Sequence, residues 1–321
     1  MKEQYTYAVA RIRAVENSLL KKTDIEQVLS AKSEQEAVQI LKDKGFSGYS
    51  AYKDAEQLLS EEEEKTLKFI KELVPDMSAF NIFLYPDDFH NLKAAVKTLI
   101  HGERDGIFVN GKTVEAETIK NAVKERSFSS LPEIMRAPAK EAVDVLLKTG
   151  DGQKADMIID KAALLAIKKA AALSDNEMIK NYAELTVALS DIKIAARCAV
   201  MKKNTEFIKQ ALCPCETINI ASLAEAAGKG QEELYSYLEN TRYNGAAETL
   251  KISFFEFEKW CDNLLMEEIK KQKTNPFTIG PIAAYYLARE IEIKSVRIAL
   301  SGVINKLDEN SVRERLRDLY V

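Results

Sequence analysis

Apolar residues along the chain recur at helical spacing almost throughout. Ala8, Ile12, Val15 and Leu19 step by four, three and four, which predicts one apolar stripe on a first helix. Ser33 and Glu36 form a capping box ahead of Ala37, Ile40 and Leu41, and Gly45 stands where a helix end favours positive φ. Ser60 and Glu63 repeat the capping device before Leu67, Ile70, Leu73 and Val74, with Pro75 ending the run. On that reading the acidic stretch Glu61 to Glu64 is the solvated first turn of a helix, where carboxylates favour the dipole. Pro86-Asp87-Asp88 opens a helix at its N-cap, with Phe89, Leu92, Val96 and Leu99 on one face and Gly102 at its end. Residues 156–172, 175–203, 249–273 and 281–307 are expected as long amphipathic helices, and 311–321 as a short terminal one.

One patch departs from this pattern. Ile107, Phe108 and Val109, followed by Asn110-Gly111, predict a small hairpin. The same residues, Gly106 to Thr113, fit the P-loop expression G-x-x-x-x-G-K-[ST]. A phosphate cradle needs a buried strand before it and a helix starting at the lysine, whereas here a helix and the polar segment 101–105 precede it. With no strands to build a parallel sheet, the hairpin is the expectation and direct nucleotide binding is not.

Three pieces recur three times in the same order. A short helix ends in an aromatic: Ala37, Leu41, Phe46; Ile119, Val123, Phe128; and Leu234, Leu238, Tyr243. An acid-lysine pair opens a long helix at Glu64-Lys65, Asp160-Lys161 and Glu258-Lys259. A polar-aliphatic-lysine triplet follows in the next long helix at Asn91-Leu92-Lys93, Asp191-Ile192-Lys193 and Glu292-Ile293-Lys294, spaced by 100 and 101 residues. Basic residues come four, four and three positions after these lysines, at Lys97, Arg197 and Arg297. The expected fold is all-α, with units 1–110, 111–214 and 215–321 in one compact body. Three such units can close around a pseudo-threefold axis and leave a central concavity.

Composition narrows the function. The 321 residues carry 46 Lys+Arg against 50 Asp+Glu, a net charge of -4, so no global positive field gathers nucleic acid. Twelve glycines and seven prolines are too few for the turns of an all-β fold. The N-terminus carries charge early and has no apolar run, and the uncharged stretch 274–288 is too short and too broken to span a bilayer. Cys198, Cys213, Cys215 and Cys261 form no disulfide framework and read as reduced cytoplasmic thiols. Cys213-Pro214-Cys215 lacks companion ligands, because the only histidines are His90 and His101, so no metal is expected. Asp87, Asp88 and His90 lack a nucleophile or ligand cluster, and a capping or interface role is the reading for them. The aromatics Phe254, Phe255, Phe257 and Trp260 fall at helical spacing and read as a packing stripe.

The opening stretch Tyr5 to Arg13, the run Asp88-Phe89-His90-Asn91-Leu92-Lys93, the central Asp191-Ile192-Lys193 to Arg197, and the helix Glu290 to Arg297 resemble the C subunit of the prokaryotic V-type or A-type ATPase, the counterpart of the eukaryotic d subunit. The resemblance covers essentially the whole chain. It implies a shallow funnel of three helical units and a non-catalytic rotor part without cofactor, serving ATP synthesis or hydrolysis and proton or sodium transport. Its implied partners are the central-stalk coiled-coil subunit, the small stalk subunit and the proteolipid ring, at the cytoplasmic face of the membrane and peripheral to it. His90, Asn91, Lys93, Lys97, Asp191, Lys193, Arg197, Glu292, Lys294 and Arg297 are the candidates for interface or supporting roles, salt bridges within a unit being the alternative for the charged ones. The competing function is a free-standing triplicated helical scaffold for soluble partners.

Overall fold

The computed structural model describes residues 5–46, 55–102 and 106–321. The chain begins with α1 (Thr6–Glu16), α2 (Lys22–Leu29), α3 (Glu34–Asp43) and α4 (Ala55–Leu73). It continues through α5 (Tyr85–His101), α6 (Ala116–Lys124), α7 (Glu133–Thr149), α8 (Gly152–Ala172), α9 (Glu177–Val200), α10 (Thr205–Ala211), α11 (Ile220–Lys229) and α12 (Gln231–Glu239). It ends with α13 (Asn244–Ile252), α14 (Phe254–Lys270), α15 (Gly280–Ile304) and α16 (Glu309–Arg313). Among the described residues there is no strand, so the chain is all-α as its periodicity predicts. Two compact units divide it: residues 1–77 with 248–321, and residues 78–247.

The first unit is organised by α15, which packs against α1, α2, α3, α4, α14 and α16. Ile293, Val296, Ala299 and Leu300 of α15 meet Ile25, Val28 and Leu29 of α2, Ala37 and Leu41 of α3, and Leu58 and Leu59 of α4. A helix with apolar residues on most of its sides needs such a jacket, because any apolar face left in water forfeits its burial free energy. At Gly302 a Cβ would stand 2.7 Å from Val312 Cγ2, so only glycine lets α16 lie this close. In the second unit α8 lies against α5, α7, α9 and α10, and the core runs from Phe89 and Leu92 through Ile119 and Val143 to Ile159.

Three boundaries differ from the sequence expectation, each for a local reason. Helix α4 is already formed at Ala55, five residues ahead of Ser60, because Leu58 and Leu59 extend the apolar stripe and are fully buried. Ser60 is therefore helix interior, and Glu62 of the acidic run faces inward at 3% exposure instead of capping a solvated turn. The stretch 249–273 breaks at Ser253, whose extended backbone (φ -169°, ψ 159°) lets its side chain accept the Glu256 N–H. Replacing Ser253 with alanine is expected to cost about 1 kcal/mol, visible as a lower urea midpoint at unchanged slope; an unaltered midpoint would deny the cap any energetic role. The terminal helix is only α16, and beyond it Arg317 bonds to Asp262 at 2.8 Å in place of further helical turns.

The expected hairpin is not formed, since no second strand lies beside residues 107–110. Side chains of α5 take that strand's place. The Asn91 amide accepts from Val109 N–H at 2.9 Å and donates to Val109 C=O at 3.0 Å, completing both backbone groups of one residue. One turn earlier, Asp88 accepts from the Lys112 and Thr113 N–H groups, each at 3.0 Å. Asp88 thus sits inside the first turn of α5, where it pins the loop, while the N-cap position belongs to Leu84.

Candidate functional site: a basic cleft and two buried charge clusters

In the second unit α5, α8 and α9 border a cleft of about 340 Å³. Its apolar floor includes Phe89, Leu164 and Ile167, and His90, Lys93, Lys193 and Arg197 line it with Asp160 as the one carboxylate. Four residues singled out in the sequence therefore converge on one concavity. The helical periods bring them there, because Lys93 stands one turn beyond Phe89, and Lys193 and Arg197 are one turn apart on α9. Lys93 reaches Asp160 at 2.6 Å, and His90 Nε2 lies 3.0 Å from the Ile107 carbonyl. Lys97, one turn further, pairs with Asp156 at 2.8 Å and stays outside the cleft. These bonds hold α5 antiparallel to α8, since the lysine numbers rise as the aspartate numbers fall.

The polar residue opening each recurrent triplet behaves differently. Asn91, Asp191 and Glu292 are buried at 0%, 0% and 2% exposure, so none presents itself to a partner. Each instead accepts a backbone N–H from a connecting segment: Asn91 from Val109, Asp191 from Cys213 at 2.9 Å, and Glu292 from Leu20 at 2.8 Å. Burial pushes the Asp191 carboxyl up to about 7, against the pull of the Cys213 N–H and of Lys161 and Lys168. Lys294 and Arg297 lie in the first unit, where Lys294 meets Asp262 at 2.5 Å and Arg297 meets Glu56 at 2.8 Å and Glu63 at 3.2 Å.

A second cleft, of about 360 Å³, opens in the first unit beside Glu62, Lys65, Phe46, Phe69, Tyr285 and Arg289. Its wall is a buried triad in which the Arg289 guanidinium bonds both Glu62 and Glu292. Burial pushes the Glu292 carboxyl up to about 7, opposed by Arg289 and the Leu20 N–H and reinforced by the like charge of Glu62. Arg289 also lies over the Phe46 ring, 4.9 Å from its centroid. Sequence reasoning missed Glu62 and Arg289. The available signals were Glu62 falling four residues after Leu58 and four before Thr66, and Arg289 standing three before Glu292 directly after the uncharged run 274–288.

The P-loop lookalike has its own closed geometry. At Gly111 a Cβ would stand 2.3 Å from the Val114 carbonyl oxygen, so the turn folds on itself. The Lys112 and Thr113 amides already serve Asp88, and the buried Lys112 ammonium lies 3.6 Å from Asp87. Among the described residues no three His, Cys, Asp or Glu side chains come together as a metal site. The Cys213 and Cys215 thiols are both pushed up to about 11 by burial, which keeps them protonated and unreactive.

The family model of the ATP synthase (C/AC39) subunit matches residues 8–315, and the chain belongs to that family. Among curated relatives, the C subunit of the V-type sodium ATPase of Enterococcus hirae is 23% identical over 318 residues, covering 96% of this chain and 97% of the relative. The C subunit of the A-type ATP synthase of Methanocaldococcus jannaschii is 22% identical, covering 98% and 86%, and that of the V-type ATP synthase of Thermus thermophilus 21%, covering 98% and 99%.

Proposed function

We propose that this chain is a non-catalytic rotor subunit of a V-type or A-type rotary ATPase or ATP synthase, joining the central-stalk coiled coil and small stalk subunit to the proteolipid ring. The observation that carries this reading is the match to C-subunit relatives, which spans nearly all of this chain and of the Enterococcus hirae protein. A linker that passes torque needs stiff elements and broad surfaces, and the long helices tied by side-chain bonds to their connections fit that need. The cation-lined cleft in the second unit offers a place for a carboxylate-rich partner segment, with complementary charge fixing register more than affinity. No helix among the described residues is long and apolar enough to cross a membrane, so the chain is proposed to attach to the cytoplasmic face through its partners.

The three-unit organisation, 1–110, 111–214 and 215–321 around a pseudo-threefold funnel, is part of this proposal. It is supported by the common role of Asn91, Asp191 and Glu292 in holding a connecting amide. It is also supported by α5 and α15 placing Lys97 and Arg297 against carboxylates of the neighbouring long helices α8 and α4.

Capture of the chain from its own cell membranes in mild detergent, followed by mass spectrometry, tests the reading. Near-stoichiometric proteolipid and central-stalk subunits are expected; soluble partners alone, with the chain absent from washed membranes, would mean a free-standing scaffold. In the same experiment Lys193→Glu with Arg197→Glu, in a chain that circular dichroism shows to be folded, is expected to lower recovered stalk subunits about tenfold, because like charges then face the partner. Undiminished recovery would remove the cleft from the interface.

A further inference from the structure

The ends of several helices in the second unit gather exposed apolar and basic side chains in one place. Lys97 on Asp156 brings the C-terminus of α5 to the N-terminus of α8, and Gln153, in the first turn of α8, contacts Met201 and accepts from Lys203 at 2.8 Å. The turn from α7 into α8 adds the end of α7 to the same group. Ile100, Leu147, Val200 and Met201 are there 42% to 49% exposed, beside the exposed Lys148, Lys154 and Lys202.

The backbone singles out one of these lysines. Helices α5 and α9 each close on a residue of positive φ: Gly102 at 71° and Lys202 at 54°. Glycine is the unstrained occupant of such a position, and α5 uses it; a lysine there has a Cβ working against the backbone. In α9 the chain accepts that strain and sets an ammonium beside exposed Val and Met.

From this placement we propose that these helix ends form a contact with an anionic phospholipid surface, the lysines meeting headgroup phosphates and the apolar side chains entering the boundary with the acyl chains. Charge decides the occupant. Apolar side chains alone suit any partner, but lysines interleaved with them match an interface that is negative outside and apolar beneath. The proposal rests on the rotary-ATPase reading only for the nearness of a membrane.

Flotation of the purified full chain with phosphatidylcholine vesicles, with and without phosphatidylglycerol, tests it. Binding is expected to the anionic vesicles and to fall as salt rises. Lys202→Gly is expected to weaken it about five-fold, since one lysine near such a surface contributes about that factor, while the same change raises the melting temperature by relieving the strained backbone. Met201→Asp is expected to lower binding further at unchanged melting temperature, as its side chain is half in solvent. Equal binding to neutral and anionic vesicles, or variants that bind like the parent, would overturn the proposal. So would Met201→Asp losing stalk or ring subunits in lipid-free detergent while keeping vesicle affinity, because the face would then cover protein. Vesicle binding by a chain that captures no ATPase subunits would sustain this surface and overturn the rotary reading.

Discussion

Arg289→Ala is expected to destabilise the first unit by about 3–5 kcal/mol, a fall of roughly 10–15 °C in its thermal midpoint. The guanidinium lies between Glu62 and Glu292, and all three side chains are at most 6% exposed. Removing the cation leaves two like charges in a site that water barely reaches, with the Lys65 ammonium, 3.2 Å from Glu62, offsetting only part of their desolvation. The loss has a remedy that identifies its cause. In Arg289→Ala with Glu62→Gln and Glu292→Gln the buried charge is gone, while the amide oxygen of the glutamine replacing Glu292 still accepts the Leu20 N–H, so most of the stability should return. If the triple variant melts no higher than the single one, the arginine acts through its packing on Phe46 and not through charge.

Stability should also rise as pH falls from about 8 to about 5, opposite to the behaviour of a protein dominated by surface ion pairs. Asp191 and Glu292 have folded carboxyls raised to about 7, and burial raises Asp88 as well. Between the ordinary carboxylate range and about pH 7 the folded chain holds protons that the unfolded chain has released, so the slope of stability against pH is negative there. The contribution of these groups is fully present below their unfolded pKa and is lost as pH rises through about 7. A few kcal/mol is at stake, about 5 °C between roughly pH 8 and pH 5.5 by calorimetry. Asp24 has the opposite sign: the Lys44 ammonium and the Lys21 amide hold its carboxyl below the usual range against the opposing push of burial, so its contribution fails in stronger acid. Asp191→Asn, which has no proton to take up, should flatten part of the slope. A midpoint that climbs steadily from about pH 5.5 to about pH 8 would contradict this account.

The helices were legible because their signal is local. Period, caps and terminators gave α3, α5 and α9 to within a few residues, and the convergence of His90, Lys93, Lys193 and Arg197 followed from positions that recur along two helices. What escaped was set by partners distant in sequence. Nothing near Glu62 announces Arg289, 227 residues away, and an acidic run looks solvated until the helix carrying it is seen to begin earlier. The segment 107–110 has strand-like residues, yet strand formation depends on a partner, and the side chains of α5 supplied its hydrogen bonds instead. Spacing singles out Asn91, Asp191 and Glu292, but it reports recurrence and says nothing of direction, and all three point inward.

The side-chain ties to connecting amides have a further consequence for how the molecule breathes. Leu20, Val109, Lys112 and Cys213 lie outside the helices, where amide hydrogens ordinarily trade with solvent within moments. Here each is held by a buried side chain rooted in a long helix, so its exchange must wait for the opening of that helix. A deuterium map of the protein would therefore draw these loops in the slow colours of its core.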